Sequence, residues 1–363
     1  MINEKDITFI CAGKIFFKHN LTFRCLRSIR RFFPNSKIIL STWDGEYHKK
    51  LSKYADEVIY NREPENIGST CLPECDWYPK ENSYNRQQVL VSTALKVCNT
   101  KYVVKFRTDF IFKKNCFIKF YETFLDVLGC EASIFKQKVL IYSCGTINPK
   151  VTNLPLPHHP SDLFFFGLTE DINLIYDGRF ISKDLANYYL NHNEYNPALF
   201  NHLYTPEQFL WLQLLDKLNI TYKKPKNYFE INERIAQETL YLFSSNFIVL
   251  DQPHLGFKSK FDKKFKYKDK KTRFLTTKHF LDFYKYIFGS SKKLEHLCRS
   301  EKVFYDYNCS LTSISKHMKI LFKYLGFPIE ILVMIYYSLL TLFLKIRLLY
   351  NEIISYNKCS NDE

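Results

Sequence analysis

Between residues 7 and 106, short apolar runs alternate with stretches of helical spacing. That alternation narrows the fold more than any other feature of the chain. Ile7–Ala12 is an apolar run ending at Gly13, the pattern of a buried strand and a turn. Residues 21–33 place Leu26, Ile29, Arg30 and Phe33 at helical spacing and stop at Pro34-Asn35. Residues 37–42 read as a second buried strand leading to Trp43-Asp44-Gly45. A helix is expected near 47–54 and a third strand at 57–60. Asn85-Arg86-Gln87-Gln88 marks a helix start, with Asn85 as cap and Gln88 at the reciprocal capping-box position. That helix runs to about Cys98 and turns into a fourth strand at 102–106. Strands alternating with helices predict an α/β fold, with a mainly parallel, Rossmann-like sheet flanked by helices.

Beyond residue 110 the pattern thins. Residues 132–143 hold strand material, 162–167 (DLFFFG) reads as a short buried strand, and Phe247–Leu250 as a last one. Thr205-Pro206-Glu207-Gln208 is a clear helix start: a Thr cap, Pro in the first turn and Gln three residues after the cap. Residues 61–83, with three prolines and the one close cysteine pair, Cys71 and Cys75, form a connection too long to be a plain turn. Composition then shifts. Residues 258–273 are dominated by Lys and Arg, opposed only by Asp262 and Asp269. Residues 331–344 (ILVMIYYSLLTLFL) are continuously apolar and flanked by lysines and Arg347. A spanning helix needs roughly 20 apolar residues. This shorter run fits a helix lying on an anionic membrane, or a buried core or dimerisation helix. The expected organisation is a domain over residues 1–255 and a basic, helical C-terminal extension over 256–363.

The chain of 363 residues carries a formal charge of +15, which favours anionic partners. Nucleic acid is the less favoured of these: residues 258–273 interleave aromatics with cations, but no recognised nucleic-acid motif appears. Eleven cysteines are scattered without zinc-ligand spacing, and the first residues lack the apolar core of a signal peptide. Reduced thiols and a cytoplasmic setting, peripheral to the inner face of the membrane, are therefore expected.

The sharpest chemical signal is Lys105-Phe106-Arg107-Thr108-Asp109, at the end of the fourth strand. Alternate strand residues share a face, so Lys105, Arg107 and Asp109 point one way. Ligands of open parallel sheets bind beyond the carboxyl ends of the strands. Two cations and a carboxylate there suit a diphosphate, with Arg107 supplying fork-shaped donors and Asp109 able to ligate Mg2+ or Mn2+. The alternative is an Arg–Asp pair that merely closes the strand end. Arg86 and Gln87, at a helix start, and Trp43 and Asp44, after the second strand, are further candidates for donor contacts.

The string over residues 85–110, NRQQVLVSTALKVCNTKYVVKFRTDF, resembles the WavE lipopolysaccharide synthesis family, whose pattern is an N-R-Q helix leading into a strand that ends K-x-R-x-D. Its other landmarks follow in order: S-T-W-x-G at 41–45, S-D-x-x-x-F-G at 161–167 and P-E-Q at 206–208. The resemblance spans roughly residues 5–255. It implies a GT-A-like nucleotide-binding sheet and a glycosyltransferase working with a nucleotide-sugar donor and a glycan or glycolipid acceptor. The R-T-D at 107–109 stands where related enzymes carry D-x-D, with one carboxylate instead of two. Arg107 would then supply part of the positive charge otherwise brought by a metal. An inverting reaction would need a carboxylate base, for which Asp162 and Glu207 are the candidates. His254, after the last strand, is a further candidate metal ligand beside Asp109.

Overall fold

The computed structural model describes residues 1–73, 82–129, 133–151, 154–259 and 273–302. The elements follow in order. β1 (Ile7–Ala12), α1 (Leu21–Phe32), β2 (Lys37–Trp43), β3 (Glu57–Asn61), α2 (Tyr84–Lys96) and β4 (Tyr102–Arg107) come first. Then come β5 (Ile111–Phe112), α3 (Phe117–Leu128), β6 (Val139–Tyr142), β7 (Phe164–Leu168) and α4 (Thr169–Tyr176). The short α5 (Lys183–Ala186) and α6 (Tyr188–Asn191) lead to α7 (Pro206–Lys217) and α8 (Glu233–Asn246). β8 (Phe247–Leu250), α9 (Gln252–Leu255), β9 (Phe257–Lys258) and α10 (Thr277–Phe288) complete the set.

Seven strands form one mixed sheet in the order β3-β2-β1-β4-β7-β6-β8. β3, β2, β1 and β4 are parallel, with Ile10 opposite both Ile39 and Lys105. β7 runs antiparallel to β4 and β6, and β6 pairs in parallel with β8. This is the GT-A-like arrangement that the resemblance implied: a parallel half with an antiparallel strand beside its last member. β5 and β9 make a separate two-stranded ladder. The three inner parallel strands β1, β2 and β4 are nearly all buried and so read as largely apolar runs, while the edge strand β3 is mostly half-buried. Phe9 sits at the centre of an aromatic core, its ring 4.7 Å from Phe33, 5.6 Å from Phe112 and 6.1 Å from Phe106. Rings at such tilted and edge-on angles fill volume and add a favourable quadrupole contact.

Two local expectations are corrected. Residues 47–54 hold only a single tight turn at Leu51–Lys53, not a helix. At α2 the N-cap is Ser83, with no side-chain capping bond. The polar groups read as a capping box are used elsewhere. Asn85 exchanges two hydrogen bonds with the Ile181 backbone (3.0 and 3.3 Å), and the Gln88 amide donates to the Gly178 carbonyl. A buried side-chain amide needs its donors and acceptors met, and here a distant loop meets them.

Residues 1–303 form one compact unit, so the boundary expected after residue 255 falls inside it. α10 packs on α8 and β8. The second unit, residues 304–363, lies outside the described residues, as do the apolar run at 331–344, residues 260–272 of the basic stretch, and Cys75. Among the described residues no helix is long and apolar enough to cross a membrane.

Candidate functional site

β4 ends at Arg107 on the carboxyl edge of the parallel strands, the edge where ligands of such sheets bind. Arg107 turns back on Asp109 in a two-pronged pair, Nε to Oδ1 at 2.9 Å and Nη2 to Oδ2 at 3.0 Å. The Asp109 side chain is 3% exposed and that of Arg107 34%, so the carboxylate is enclosed and the arginine side chain is partly exposed. Burial works against the charge on Arg107, yet the Asp109 bond and the nearby Asp162 outweigh it and raise its pKa. Thr108, between them, donates to the Lys14 carbonyl at 2.7 Å and ties the loop after β1 to the β4 end. That approach needs Gly13: its φ is +142°, and a Cβ there would stand 3.1 Å from the Thr108 hydroxyl.

Lys105 lies on the same face but points inward. Its ammonium donates to the Asp162 carbonyl and sits 5.6 Å from the ring centres of both Phe165 and Tyr176. Burial pushes its pKa down to about 8, against the pull of Asp162 and Glu207. Lys105 is therefore an internal anchor, and Arg107 is the cation at the rim.

Asp162 arrives from the other half of the sheet. Because β7 is antiparallel to β4, with Phe164 opposite Phe106, the residues just before β7 come out at the carboxyl end of β4. Hydrogen bonds fasten this segment to the turn after β6. Ser161 Oγ donates to the Cys144 carbonyl (2.8 Å), Ser161 N–H to Thr146 Oγ1 (3.1 Å), and Ile147 N–H to the His159 carbonyl (3.0 Å). Gly145, at φ +98°, allows the close approach: a Cβ there would stand 2.9 Å from Ser161 Oγ.

Glu207 comes from the first turn of α7. The capping box read from the sequence is present, with Thr205 and Gln208 exchanging side-chain and backbone bonds. Gln208 also donates to the Pro157 and Tyr228 carbonyls at 2.6 and 2.9 Å, pinning the helix start onto the Asp162 segment. Glu207 and Asp162 then line one small cavity with Phe165 and Trp211. Its volume of about 10 Å3 is room for roughly one water. Burial, and then the neighbouring Asp162, push the Glu207 pKa up to about 8. His159 Nε2 lies 3.4 Å from Glu207 Oε2, and burial holds the imidazole down at about 4, so it is neutral at pH 7.

The structure thus gathers Lys105, Arg107, Asp109, Asp162 and Glu207 at one place. Gln87 joins them indirectly: its amide donates to the Tyr176 hydroxyl at 3.0 Å. His159 and Tyr176 are further members of the cluster, and the His158-His159 pair stands between prolines in the sequence, where a loop is the plain expectation. The flanking prolines gave no sign that the loop folds inward. Trp43 and Asp44 close β2 at the same edge, two strands away. Arg86 faces Glu63 at 2.8 Å on the rim. His254 is not part of the cluster: its Nε2 meets Glu301 at 2.5 Å and its ring packs on Phe120.

Asp109 and His254 do not fit a shared metal site. Both oxygens of Asp109 accept from Arg107, His254 is taken up by Glu301, and among the described residues no group of three or more His, Cys, Asp or Glu side chains is placed to hold an ion. The guanidinium stands where a metal would neutralise the carboxylate.

A family described as WavE lipopolysaccharide synthesis matches residues 7–313. No curated protein matches the chain. Among solved structures, similarity is found to S. aureus TarS (TM-score 0.30, 12% identity, 65% of this chain and 38% of that one). TarS residues 1–349 give a TM-score of 0.31 at 12% identity, covering 66% and 70% of the two chains. A putative glucose-1-phosphate thymidylyltransferase from Bacillus anthracis, in complex with a sucrose, gives 0.29 at 9% identity, covering 60% and 98%. The chain spans well under half the length of the first of these, and likenesses this low carry no argument.

Proposed function

The chain belongs to the WavE lipopolysaccharide synthesis family, and from that premise we propose that it transfers a sugar from a nucleoside-diphosphate donor to a lipopolysaccharide or other surface-polysaccharide acceptor. One observation carries the reading. A partly exposed Arg107, held by the enclosed Asp109, stands at the carboxyl end of β4, beside a carboxylate pair delivered by the segment before β7 and by the start of α7.

In the proposed reaction an acceptor hydroxyl oxygen bonds to the anomeric carbon. The bond from that carbon to the diphosphate oxygen breaks, and its electron pair leaves with the diphosphate. Arg107 brings a fixed positive charge beside the growing negative charge and, being held by Asp109, needs no reorganisation. The hydroxyl proton goes to a carboxylate. Glu207 keeps its own proton up to about pH 8, so the base is Asp162, with Glu207 beside it in the same cavity. Trp43 and Asp44 serve the nucleoside at the same edge. The basic stretch at 258–273 and the apolar run at 331–344 support a station at an anionic membrane surface.

A thermal-shift series with nucleoside diphosphates and nucleotide sugars, with and without Mn2+, tests the donor site. A ligand that binds only the folded chain raises its melting temperature. One nucleotide should give a selective rise that is lost in Arg107→Ala and Asp109→Asn and does not require Mn2+. No rise with any nucleotide, at concentrations that saturate a known transferase, would overturn the reading.

A further inference from the structure

A second concave surface lies at the far edge of the sheet. β3 is the edge strand, and Val58 and Tyr60, two residues apart and so on one face, border a groove of about 430 Å3. Leu51 also lines it. Tyr47 packs on Tyr60 with ring centres 4.3 Å apart and planes at 46°, making an aromatic corner, and Tyr47 is still 65% exposed. The neighbouring His48 is held in place. Its ring lies 4.9 Å from Phe23 and 5.9 Å from Phe17, and its Nδ1 accepts from the Lys50 N–H at 3.1 Å. Lys49 and Lys50 are exposed and form no ion pair among the described residues.

Tyr47 is exposed and Tyr60 half-buried beside it, Lys49 lines the groove with Lys50 next to it in sequence, and the one acid of the lining, Asp56, is paired with Arg30 at 2.8 Å; a concavity so lined differs from the scattered apolar residues of an ordinary exterior. An aromatic corner matches the C–H face of a pyranose, and paired lysines match phosphate. β3 is three strands from β4, about 14 Å across the sheet, which leaves space for intervening sugar units. We propose that this groove binds the phosphorylated oligosaccharide of the acceptor, a pyranose ring against Tyr47 and Tyr60 and a phosphate on Lys49 and Lys50. The assignment rests on the sugar-transfer reading and adds to it an anchor for the acceptor remote from the reacting centre. Binding energy from such a contact can be used at the reacting centre.

Isothermal titration of the full chain with deacylated, phosphorylated lipopolysaccharide core oligosaccharide tests it. Tyr47→Ala and Tyr60→Ala should each weaken binding by roughly five-fold. The double variant Lys49→Gln/Lys50→Gln should weaken binding of the phosphorylated oligosaccharide but not of its dephosphorylated counterpart. All of these variants should keep the nucleotide-induced thermal shift. Unchanged affinity in Tyr47→Ala, displacement of the oligosaccharide by a nucleoside diphosphate, or no binding at millimolar oligosaccharide would overturn the assignment. A wild-type chain that binds the oligosaccharide but no nucleotide would sink the transfer reading and leave the groove standing.

Discussion

The two sides of the candidate site treat their carboxylates in opposite ways. At the end of β4, Asp109 is enclosed together with a guanidinium two residues away, and the pair satisfies itself. Across the site, Asp162 and Glu207 share a cavity with aromatic walls and each other's charge, and Glu207 answers by keeping its proton to about pH 8. The lesson is that burial alone does not set the charge of an acid. Asp109 is buried against a guanidinium two residues along the chain, whereas Glu207 is buried without a cation in contact and beside a second acid, so burial first and then Asp162 raise its pKa. One side can meet a diphosphate through Arg107, and the other can handle a proton.

The largest expected effect separates the two acids of the second side. Asp162→Asn removes the base and should lower transfer to the membrane acceptor by about 10^2–10^4-fold. Glu207→Gln copies the protonated form and should stay within roughly ten-fold of wild type. Equal losses in both variants, in one radiolabelled-sugar assay, would erase the distinction between them.

Next in size is a pH effect on stability. The folded pKa of Glu207 is raised above its unfolded value, so between about 4.5 and 8 the folded state holds a proton that the unfolded state has lost. Stability from this group is therefore greatest in acid and falls as pH rises through that window. Melting curves of Glu207→Gln should lack this fall and exceed wild type by about 1–3 kcal/mol at pH 9, with little difference at pH 5. A variant less stable than wild type at pH 9 would show that the carboxylate is ionised and paired.

The smallest effect concerns how the second side is held. Thr205→Ala removes the cap that starts α7 and should cost about 1 kcal/mol in chemical denaturation. Because the capped turn carries Glu207, the pH dependence should also weaken. An unchanged pH profile would mean that the Gln208 bonds to Pro157 and Tyr228 position Glu207 without the cap.

Much of this was legible in the sequence for identifiable reasons. The three inner parallel strands announce themselves because burial on both faces favours apolar runs. The α7 start is readable because a capping box is made within four residues. Arg107 and Asp109 could be paired by strand periodicity alone. The misread cap at α2 has a clear cause: Asn85 and Gln88 have the spacing of a cap, yet they bond a loop ninety or more residues away. Nothing local distinguishes a polar side chain that caps its own helix from one that secures a distant segment. His159 was passed over for the same reason, since its contact with Glu207 spans separate elements.

The sequence by itself determined the parallel half of the sheet, the cation–carboxylate pair at its edge and the family to which the chain belongs, because each is written in residues close together along the chain. Only the tertiary structure decided that Lys105 turns inward, that Asp162 and Glu207 meet, and that His254 stands apart with Glu301. Those outcomes depend on an antiparallel β7, whose direction no local pattern encodes, and on the low-dielectric cavity that forms once its walls pack together.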